Sequence, residues 1–317
     1  MTTPGIEHTL RPLPGQGITL SCRCAGPTHG PLLVFLHGFP EAAFVWDDAL
    51  LFFSRPENGG YRCIAPNLRG YERSSQPTDT QAYHAKHLIQ DVRELIAVES
   101  ALSASPKATA VIAHDWGGAV AWGLAARHPS SMDRLVILNA PHPATFHREL
   151  AHNPQQQAAS AYMHFLARPD APALLEANDF ARLWPFFENM GATQGPHAWL
   201  TPARRDAYRQ VWQQGLHGPC AYYAASPLRP PQADDAEFAQ MTLPPSLCEV
   251  TVPTQVIWGM NDHALPPALL DGLASWVPNL RIERVKDATH WILHEQPDRV
   301  MALIETFLKS EQNLSIK

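Results

Sequence analysis

The residues of this 317-residue chain with the clearest chemical potential lie in a strand, a tight turn and a helix within residues 108–123. An apolar run ends at Ala113, and the segment HDWGG then leads into small residues. This pattern is typical of a nucleophile elbow, a strained turn that needs small neighbours on both sides of its central residue. Ala113 and Gly117 are such neighbours of Asp115. A carboxylate there attacks carbon and becomes an ester, which favours opening of C–X or C–O bonds over esterase chemistry. The alternative is an Asp that caps the following helix.

An ester on a carboxylate needs a base that activates water, and the base needs an orienting acid. His290 follows the last predicted strand, in the segment DATHW. Asp262 follows the preceding predicted strand, in the segment WGMND. Because ligands of open α/β sheets gather at the carboxyl ends of the strands, we expect both side chains to lie beside Asp115. Asn139 also follows a strand, but it is not ionisable and is a weaker candidate for the orienting role.

Stabilisation of a tetrahedral intermediate requires backbone N–H donors near the nucleophile. The segment HGFP, residues 37–40, follows an apolar run, and a turn there can direct one N–H towards the elbow. The N–H of Trp116 would be the second donor. The alternative is a simple turn that contains Gly and Pro.

The elements that must position these residues alternate between short apolar runs and helical patterns. Such alternation predicts a mostly parallel, doubly wound α/β sheet. Strands are predicted at residues 18–23, 32–37, 61–66, 108–114, 135–139, 255–259 and 281–285, and helices at 44–54, 83–100, 118–128, 267–276 and 297–308. The stretch from 141 to 247 is rich in Pro, Trp, Tyr, His and Gln and has no clear strand. We therefore predict a core of residues 1–140 and 248–317 and an inserted helical cap of residues 141–247.

Composition narrows the classes of protein. The net charge is −6 with both signs dispersed, which argues against a nucleic-acid partner. The sequence has no apolar run of 18 residues, so no membrane association is expected.

The start of the chain does not resemble a signal peptide, and five widely spread cysteines suit a reduced compartment, so we expect a cytoplasmic protein. We expect no metal, because His84 and His87 lack nearby carboxylate or Cys partners. The oligomeric state, monomer or homodimer, is left open.

Several segments together resemble the epoxide hydrolase group of the α/β-hydrolases, over about residues 30–310. They are HGFPE at 37–41, NLRGYERSS at 67–75, HDWGG at 114–118, NAPHP at 139–143, WGMND at 258–262 and HW at 290–291. The resemblance implies the α/β-hydrolase fold, whose order of nucleophile, acid and histidine this chain keeps. It also implies Asp115 as nucleophile, His290 as base, Asp262 as its orienting acid, and Phe39 and Trp116 as oxyanion donors.

The same group uses two cap tyrosines, whose neutral phenols hold and protonate the epoxide oxygen. Tyr162 lies seven residues before a proline, as the first such tyrosine does in the group. The pair Tyr222 and Tyr223 resembles the second, and Tyr223 is the better match. Ala224 stands where the group usually has Arg, which leaves the choice between the two tyrosines open. The resemblance implies that Trp116, Tyr162 and Tyr223 contact the substrate.

The resemblance implies hydrolysis of a small epoxide by water to a vicinal diol, without a cofactor. One alternative is a haloalkane or haloacid dehalogenase that uses the same ester. Haloalkane enzymes, however, would place their second halide donor at the position of Phe39, whose side chain cannot donate, or on a cap Trp. Fluoroacetate enzymes carry Arg at the position of Trp116. The other alternative is a ligand-binding homologue without activity, which the intact nucleophile, acid and base argue against.

Overall fold

The computed structural model describes residues 3–103, 105–232, 238 and 241–310. Within these residues, eight strands form one sheet in the order β1-β2-β4-β3-β5-β6-β7-β8. The strands are β1 Glu7–Leu13, β2 Ile18–Ala25, β3 Leu32–Leu36, β4 Arg62–Pro66, β5 Ala110–His114, β6 Leu135–Leu138, β7 Thr254–Gly259 and β8 Leu280–Val285. β2 pairs antiparallel with β1 and β4, and the remaining pairs are parallel. The predicted mostly parallel sheet is confirmed.

Both faces of the sheet are covered, which explains the continuous apolar runs of its central strands. Alternate residues of one strand point to opposite faces. Phe35 and Ile112 belong to the hydrophobic cluster on one face, whereas Val34 and Val111 belong to the cluster on the other. The doubly wound arrangement therefore needs no polar face on β3 or β5, and all residues of both strands are buried.

The helices in chain order are α1 Asp47–Ser54, α2 Ala85–Ser100, α3 Asp115–Arg127, α4 Pro143–His152, α5 Pro154–Ala159, α6 Tyr162–Leu166, α7 Ala171–Phe180, α8 Trp184–Glu188, α9 Pro202–Trp212, α10 His217–Ala225, α11 Ile292–Glu295 and α12 Pro297–Lys309. The backbone of α7 leaves helical geometry at residues 177–179. In the described part of the chain, no helix combines the length and apolarity needed to cross a membrane.

Helices α4 to α10 lie between β6 and β7, and the described residues of that stretch contain no strand. Among them, α6 carries Tyr162 and α10 carries Tyr223, and these two helices pack against each other. The division into a core of residues 1–140 and 248–317 and a cap of residues 141–247 stays a prediction.

Two sequence-based assignments need correction. β1 was not predicted, because its outer residues are mostly exposed at the sheet edge and show no apolar alternation. The helix predicted at residues 267–276 is wrong: two short 3₁₀ turns, Pro267–Leu270 and Leu273–Ser275, replace it. The break falls at Gly272, whose φ of +73° lies in the left-handed region. Glycine adopts this conformation at little cost, so it allows the break between the two turns. The spacing of the apolar residues, which predicted one helix, does not reveal this break.

Two glycines of α3 give a test of the packing behind the elbow. A Cβ on Gly117 would lie 2.5 Å from the carbonyl oxygen of His37, which is backbone and cannot yield. A Cβ on Gly123 would meet the flexible end of Ile89, also at 2.5 Å. We expect Gly117→Ala to lower the free energy of unfolding by about 1–3 kcal/mol. Gly123→Ala should change it by less than about 1 kcal/mol, because Ala favours the helix. Urea titration measures both, and equal losses would contradict this account.

Candidate active site

Asp115 stands at the junction of β5 and α3 with its backbone in the left-handed region, at φ +49°. Its carboxylate lies against Gly38, where a Cβ would come within 2.3 Å of the Asp115 Oδ1 atom. The N–H of Phe39 donates to Oδ1 at 2.7 Å. Trp116 occupies the first turn of α3, where N–H groups have no acceptor within the helix. The backbone therefore donates a hydrogen bond to one oxygen of the Asp115 carboxylate, Oδ1, and leaves the other oxygen, Oδ2, accessible.

His290 and Asp262 form a buried pair next to this carboxylate. The Nδ1 atom of His290 lies 2.7 Å from Oδ2 of Asp262. Its Nε2 atom faces Asp115, 3.7 Å from Oδ2. That distance is too long for a direct hydrogen bond. The imidazole is thus fixed on one side by a carboxylate and presents its other nitrogen to Asp115.

The carboxylate of Asp262 is held by three further donors. Its Oδ1 atom accepts the N–H groups of Ala264 and Leu265, both at 2.8 Å. Its Oδ2 atom accepts the side-chain amide of Asn139 at 2.8 Å. Asn139 itself is fixed to the end of β7, because its Oδ1 atom accepts the N–H of Gly259 at 2.8 Å. Asn139, the weaker candidate from the sequence, thus contacts the orienting acid.

The charges around His290 alter its titration. Burial lowers the pKa of His290, but the charge and hydrogen bond of Asp262 and the more distant charges of Asp115 and Glu41 raise it overall to about 9. An unfolded histidine titrates near 6.5. The imidazolium therefore stabilises the folded chain fully below pH 6.5, and this contribution is lost as the pH rises through 9.

Two phenols face Asp115 from α6 and α10. The rings of Tyr162 and Tyr223 pack edge to face, with their centroids 6.0 Å apart. The ring of Tyr223 also packs edge to face on the indole of Trp116, with 5.2 Å between the centroids. Burial, together with the nearby negative charges, raises the pKa of both tyrosines. Both phenols are therefore neutral donors at ordinary pH.

Tyr222 lies next to Tyr223 but has a different environment. Its hydroxyl donates to the carbonyl oxygen of Arg69 at 2.9 Å, in the buried interior. It does not line the cavities that contain Asp115. The geometry thus brings Tyr223, the better match in the sequence, to the carboxylate, and it assigns the hydroxyl of Tyr222 to the backbone.

A second buried carboxylate supports the loop of His290. Glu41 accepts hydrogen bonds from Tyr208 at 2.7 Å and from Nε2 of His294 at 2.6 Å. Its Oε2 atom faces Nδ1 of His114 at 3.4 Å, and the other nitrogen of His114 donates to the carbonyl of His290 at 2.9 Å. Burial disfavours the charge of Glu41, but His294 and His114 hold its pKa well below the usual range.

Two cavities meet at the carboxylate of Asp115. The first arm, about 320 Å³, is lined by residues that include Phe39, Phe186, His263, His290 and Trp291. The second arm, about 250 Å³, runs to the other side along α3. Asp115, Tyr162 and Tyr223 line both arms. A larger cavity of about 560 Å³ contains none of these three residues.

Among the described residues, no cluster of three or more His, Cys, Asp or Glu side chains could hold a metal ion.

All the site residues predicted from the sequence are therefore brought to one place: Asp115, Asp262, His290, Phe39, Trp116, Tyr162 and Tyr223. The sequence reasoning missed the contributions of Glu41, His114 and Asn139. All three belong to the segments 37–41, 114–118 and 139–143 that carry the resemblance, each at or just after the end of a strand. Their position near the ends of strands was the feature of the sequence from which a role in the site could have been inferred.

Comparison with known proteins agrees with this geometry. Residues 31–297 match the family described as alpha/beta hydrolase fold. The protein YfhM of the AB hydrolase superfamily from Bacillus subtilis is 35% identical over 93% of this chain and 96% of its own. Epoxide hydrolase 4 from Homo sapiens is 31% identical over 96% of this chain and 79% of its own. An epoxide hydrolase from Bacillus megaterium, solved with an inhibitor, matches with a TM-score of 0.83 and 29% identity over 95% of this chain and all of its own, 100%.

The electrostatics of the site give a test by NMR titration of the His290 imidazole. We expect a pKa near 9 in the unmodified protein. Asp262→Asn should lower that pKa the most, because it removes the strongest raising charge, and Asp115→Asn should lower it less. Asp287→Asn is the matched control, since this exposed carboxylate lies on the same loop. A pKa that stays near 9 in Asp262→Asn would contradict the assignment.

Proposed function

This chain belongs to the α/β-hydrolase fold family and, within it, to the epoxide hydrolase group, and on that premise we propose that it hydrolyses an epoxide to a vicinal diol through an ester on Asp115. The observation that carries the proposal is the position of Asp115. Its carboxylate lies between two neutral phenols on one side and the buried pair of His290 and Asp262 on the other. Such a site supplies a nucleophile, acids and a base without any further group.

In the first step, Asp115 attacks an oxirane carbon through Oδ2, and the C–O bond of the ring breaks. Oδ1 stays with the N–H of Phe39, which already donates to it. The ring oxygen, which keeps its bond to the other carbon, takes a proton from Tyr162 or Tyr223, which line the cavity at Asp115. A carboxylate nucleophile needs no base for this attack.

Formation of the ester prepares the base for the second step. The charge of Asp115 helps to raise the pKa of His290, and esterification removes that charge. The pKa of His290 therefore falls, and the neutral imidazole that can accept a proton becomes more populated. In the free protein, Nε2 of His290 lies 3.7 Å from Oδ2 of Asp115. From this position it faces the ester once the ester has formed.

In the second step, His290 takes a proton from water, and the resulting hydroxide attacks the carbonyl carbon of Asp115. The negative charge on the tetrahedral intermediate falls on Oδ1, where the N–H groups of Phe39 and Trp116 stabilise it. The ester bond breaks, the diol leaves, and the proton on His290 returns to the phenolate. The overall balance is one epoxide and one water for one diol.

Interception of the ester separates this mechanism from direct attack by water. His290→Gln should still form the ester but hydrolyse it very slowly, because water is no longer activated. Intact-protein mass spectrometry after addition of styrene oxide should show the mass of the whole epoxide, and peptide mapping should place it on Asp115. Asp115→Asn is the control and should gain no mass.

In ¹⁸O water, the unmodified enzyme should incorporate label into Asp115 over several turnovers. Label in the diol with none in Asp115 would refute the proposal.

The two phenols give a matched pair of variants. Tyr223→Phe should slow epoxide opening by roughly a hundredfold, since one lost donor costs about 3 kcal/mol in such a site. Tyr162→Phe should behave similarly. Tyr222→Phe is the control and should change the opening rate little, because that hydroxyl is bonded to Arg69 instead. Single-turnover kinetics measure the step. A large effect at Tyr222 with none at Tyr223 would reverse the assignment.

A substrate panel tests the reaction class. We expect turnover of styrene oxide and an aliphatic epoxide, and none of a haloalkane or fluoroacetate. Halide release without diol formation would favour the dehalogenase alternative. Binding without any adduct or turnover would favour the ligand-binding alternative.

A further inference from the structure

Helix α8 contacts two loops of the core, and each loop carries a group that ester hydrolysis needs. The ring of Phe186 packs edge to face on the ring of Phe39, with 5.5 Å between the centroids. The carbonyl oxygen of Phe186 accepts the indole N–H of Trp291 at 3.0 Å. Phe39 supplies the N–H that donates to Asp115, and Trp291 directly follows the base, His290. One residue of the helix thus contacts both loops.

The sheet alone does not fix these two loops relative to each other. Phe39 follows β3 and His290 follows β8, and three strands, β5, β6 and β7, lie between them. Four strand spacings of about 4.8 Å place β3 and β8 about 19 Å apart. Each loop therefore extends to Asp115 by itself, and a contact that bridges them controls how the base and the oxyanion donor meet at one carboxylate.

Two bridges join the loops, and they differ in their position. Glu41 forms one bridge within the core, through its hydrogen bond with His294. Helix α8 forms the other from between β6 and β7. Phe186 and Trp291 both line the first arm of the cavity, whereas Glu41 does not. Of the two bridges, the one through α8 therefore borders the space that a substrate would fill.

The side chain of Trp291 is firmly held against the base. It is 2% exposed, and its ring lies perpendicular to the imidazole of His290 with 4.8 Å between the centroids. The ring of Phe187 on α8 packs against it at 4.6 Å. The backbone of His290 is fixed separately, because its carbonyl accepts Nε2 of His114 at 2.9 Å. The indole N–H joins this rigid group to α8.

The first residue of α8 is held by α9. Trp184 packs on Trp212 with 4.6 Å between the centroids. The guanidinium groups of Arg205 and Arg209 lie over the ring of Trp184 at 4.7 and 5.1 Å. Such contacts between cations and aromatic faces are attractive. Because the helix has one turn and is held at its start, a displacement of the ring of Phe186 also displaces its carbonyl.

We propose that α8 is a clamp that aligns the base and the oxyanion donor for ester hydrolysis, and that Trp291 is the positioning residue that connects it to His290. The inference rests on the proposed function and deepens it, because α8 then governs the second chemical step. His290 has to take a proton from water while the N–H of Phe39 stabilises the charge on Oδ1. A misplacement of about 1 Å in such a site can cost about a hundredfold in rate.

Ring opening depends less on the clamp. The ring of Phe186 also packs on Tyr162, with 5.6 Å between the centroids. That phenol, however, belongs to α6, which packs against α10, and its ring lies against the ring of Tyr223. Loss of the hydrogen bond from Trp291 should therefore act mainly on hydrolysis of the ester.

Removal of one N–H tests the clamp. Trp291→Phe keeps an aromatic ring beside His290 but loses the donor. Single-turnover kinetics with styrene oxide should show ester hydrolysis slowed about tenfold and ester formation changed by less than about threefold. Trp122→Phe is the matched control and should change neither step, since the buried Trp122 donates to the carbonyl of Ala140 at 3.1 Å, within the core. Equal slowing of both steps, or unchanged hydrolysis, would overturn the proposal.

The pH profile of ester hydrolysis separates positioning from electrostatics. The charged groups that act on His290 are Asp262, Asp115 and Glu41, and Trp291→Phe keeps all of them. The midpoint of the profile should therefore stay in place while the maximal rate falls. A shifted midpoint would mean that Trp291 acts on the protonation of the imidazole, and this result would overturn the clamp.

A second variant tests the other contact of α8. Phe186→Leu removes the ring that packs on Phe39 but keeps the carbonyl, so it should also slow ester hydrolysis. If Phe186 and Trp291 act through one clamp, the double variant should be slowed by less than the product of the two single effects, because residues that act together are not additive. Unfolding midpoints identify any general loss of structure. Effects that multiply would show two separate roles and would overturn the proposal.

Amide hydrogen exchange without substrate separates the clamp from the proposed function. Trp291→Phe should speed exchange in residues 184–190 about tenfold relative to Trp122→Phe, because the loosened helix opens more often. If this holds while the unmodified protein opens no epoxide, the connection between α8 and the base stands and the proposed function fails. If the unmodified protein forms and hydrolyses the ester, but Trp291→Phe does so at the same rates, the clamp is overturned and the proposed function stands.

Discussion

The geometry of the site depends on one strained residue, Asp115, whose backbone lies in the left-handed region at φ +49°. A residue with a Cβ pays about 1–2 kcal/mol for that conformation. The conformation directs the carboxylate away from α3 and towards the end of β3, where Gly38 and Phe39 receive it. Gly117 lets α3 approach His37 closely enough for this contact. The parallel order of β3, β5 and β6 then brings the loops after these strands to one edge of the sheet.

A second constraint is that several charges must be buried together. Buried carboxylates are tolerated when their oxygens accept hydrogen bonds or face a cation. Asp262 meets this condition with two backbone N–H groups, Asn139 and His290. Glu41 meets it with Tyr208 and His294. These networks join the loops after β3, β6, β7 and β8, so the same hydrogen bonds that make the charges tolerable also fix the base in place.

The cavity around Asp115 is asymmetric, and its asymmetry follows from the elements that line it. The first arm receives polar groups from the loops after β7 and β8, including His263 and His290. The second arm receives its floor from α3, where Ala119 and Gly123 are small, and its walls from apolar side chains. The two phenols stand between the arms. The carboxylate of Asp115 therefore borders a cavity on each side.

The sequence by itself determined the class of fold, the elbow with Asp115, and the positions of Asp262 and His290 after their strands. These features are local, since apolar runs, small neighbours and strand ends can be recognised within a few residues. Tertiary structure decided what depends on contacts between distant residues. Asn139 meets Asp262 across 123 positions, and Glu41 meets His294 across 253. No local pattern records such a pairing. The choice of Tyr223 over Tyr222 likewise depends on how α10 packs against the core, and the second arm of the cavity exists because several elements enclose one face of α3.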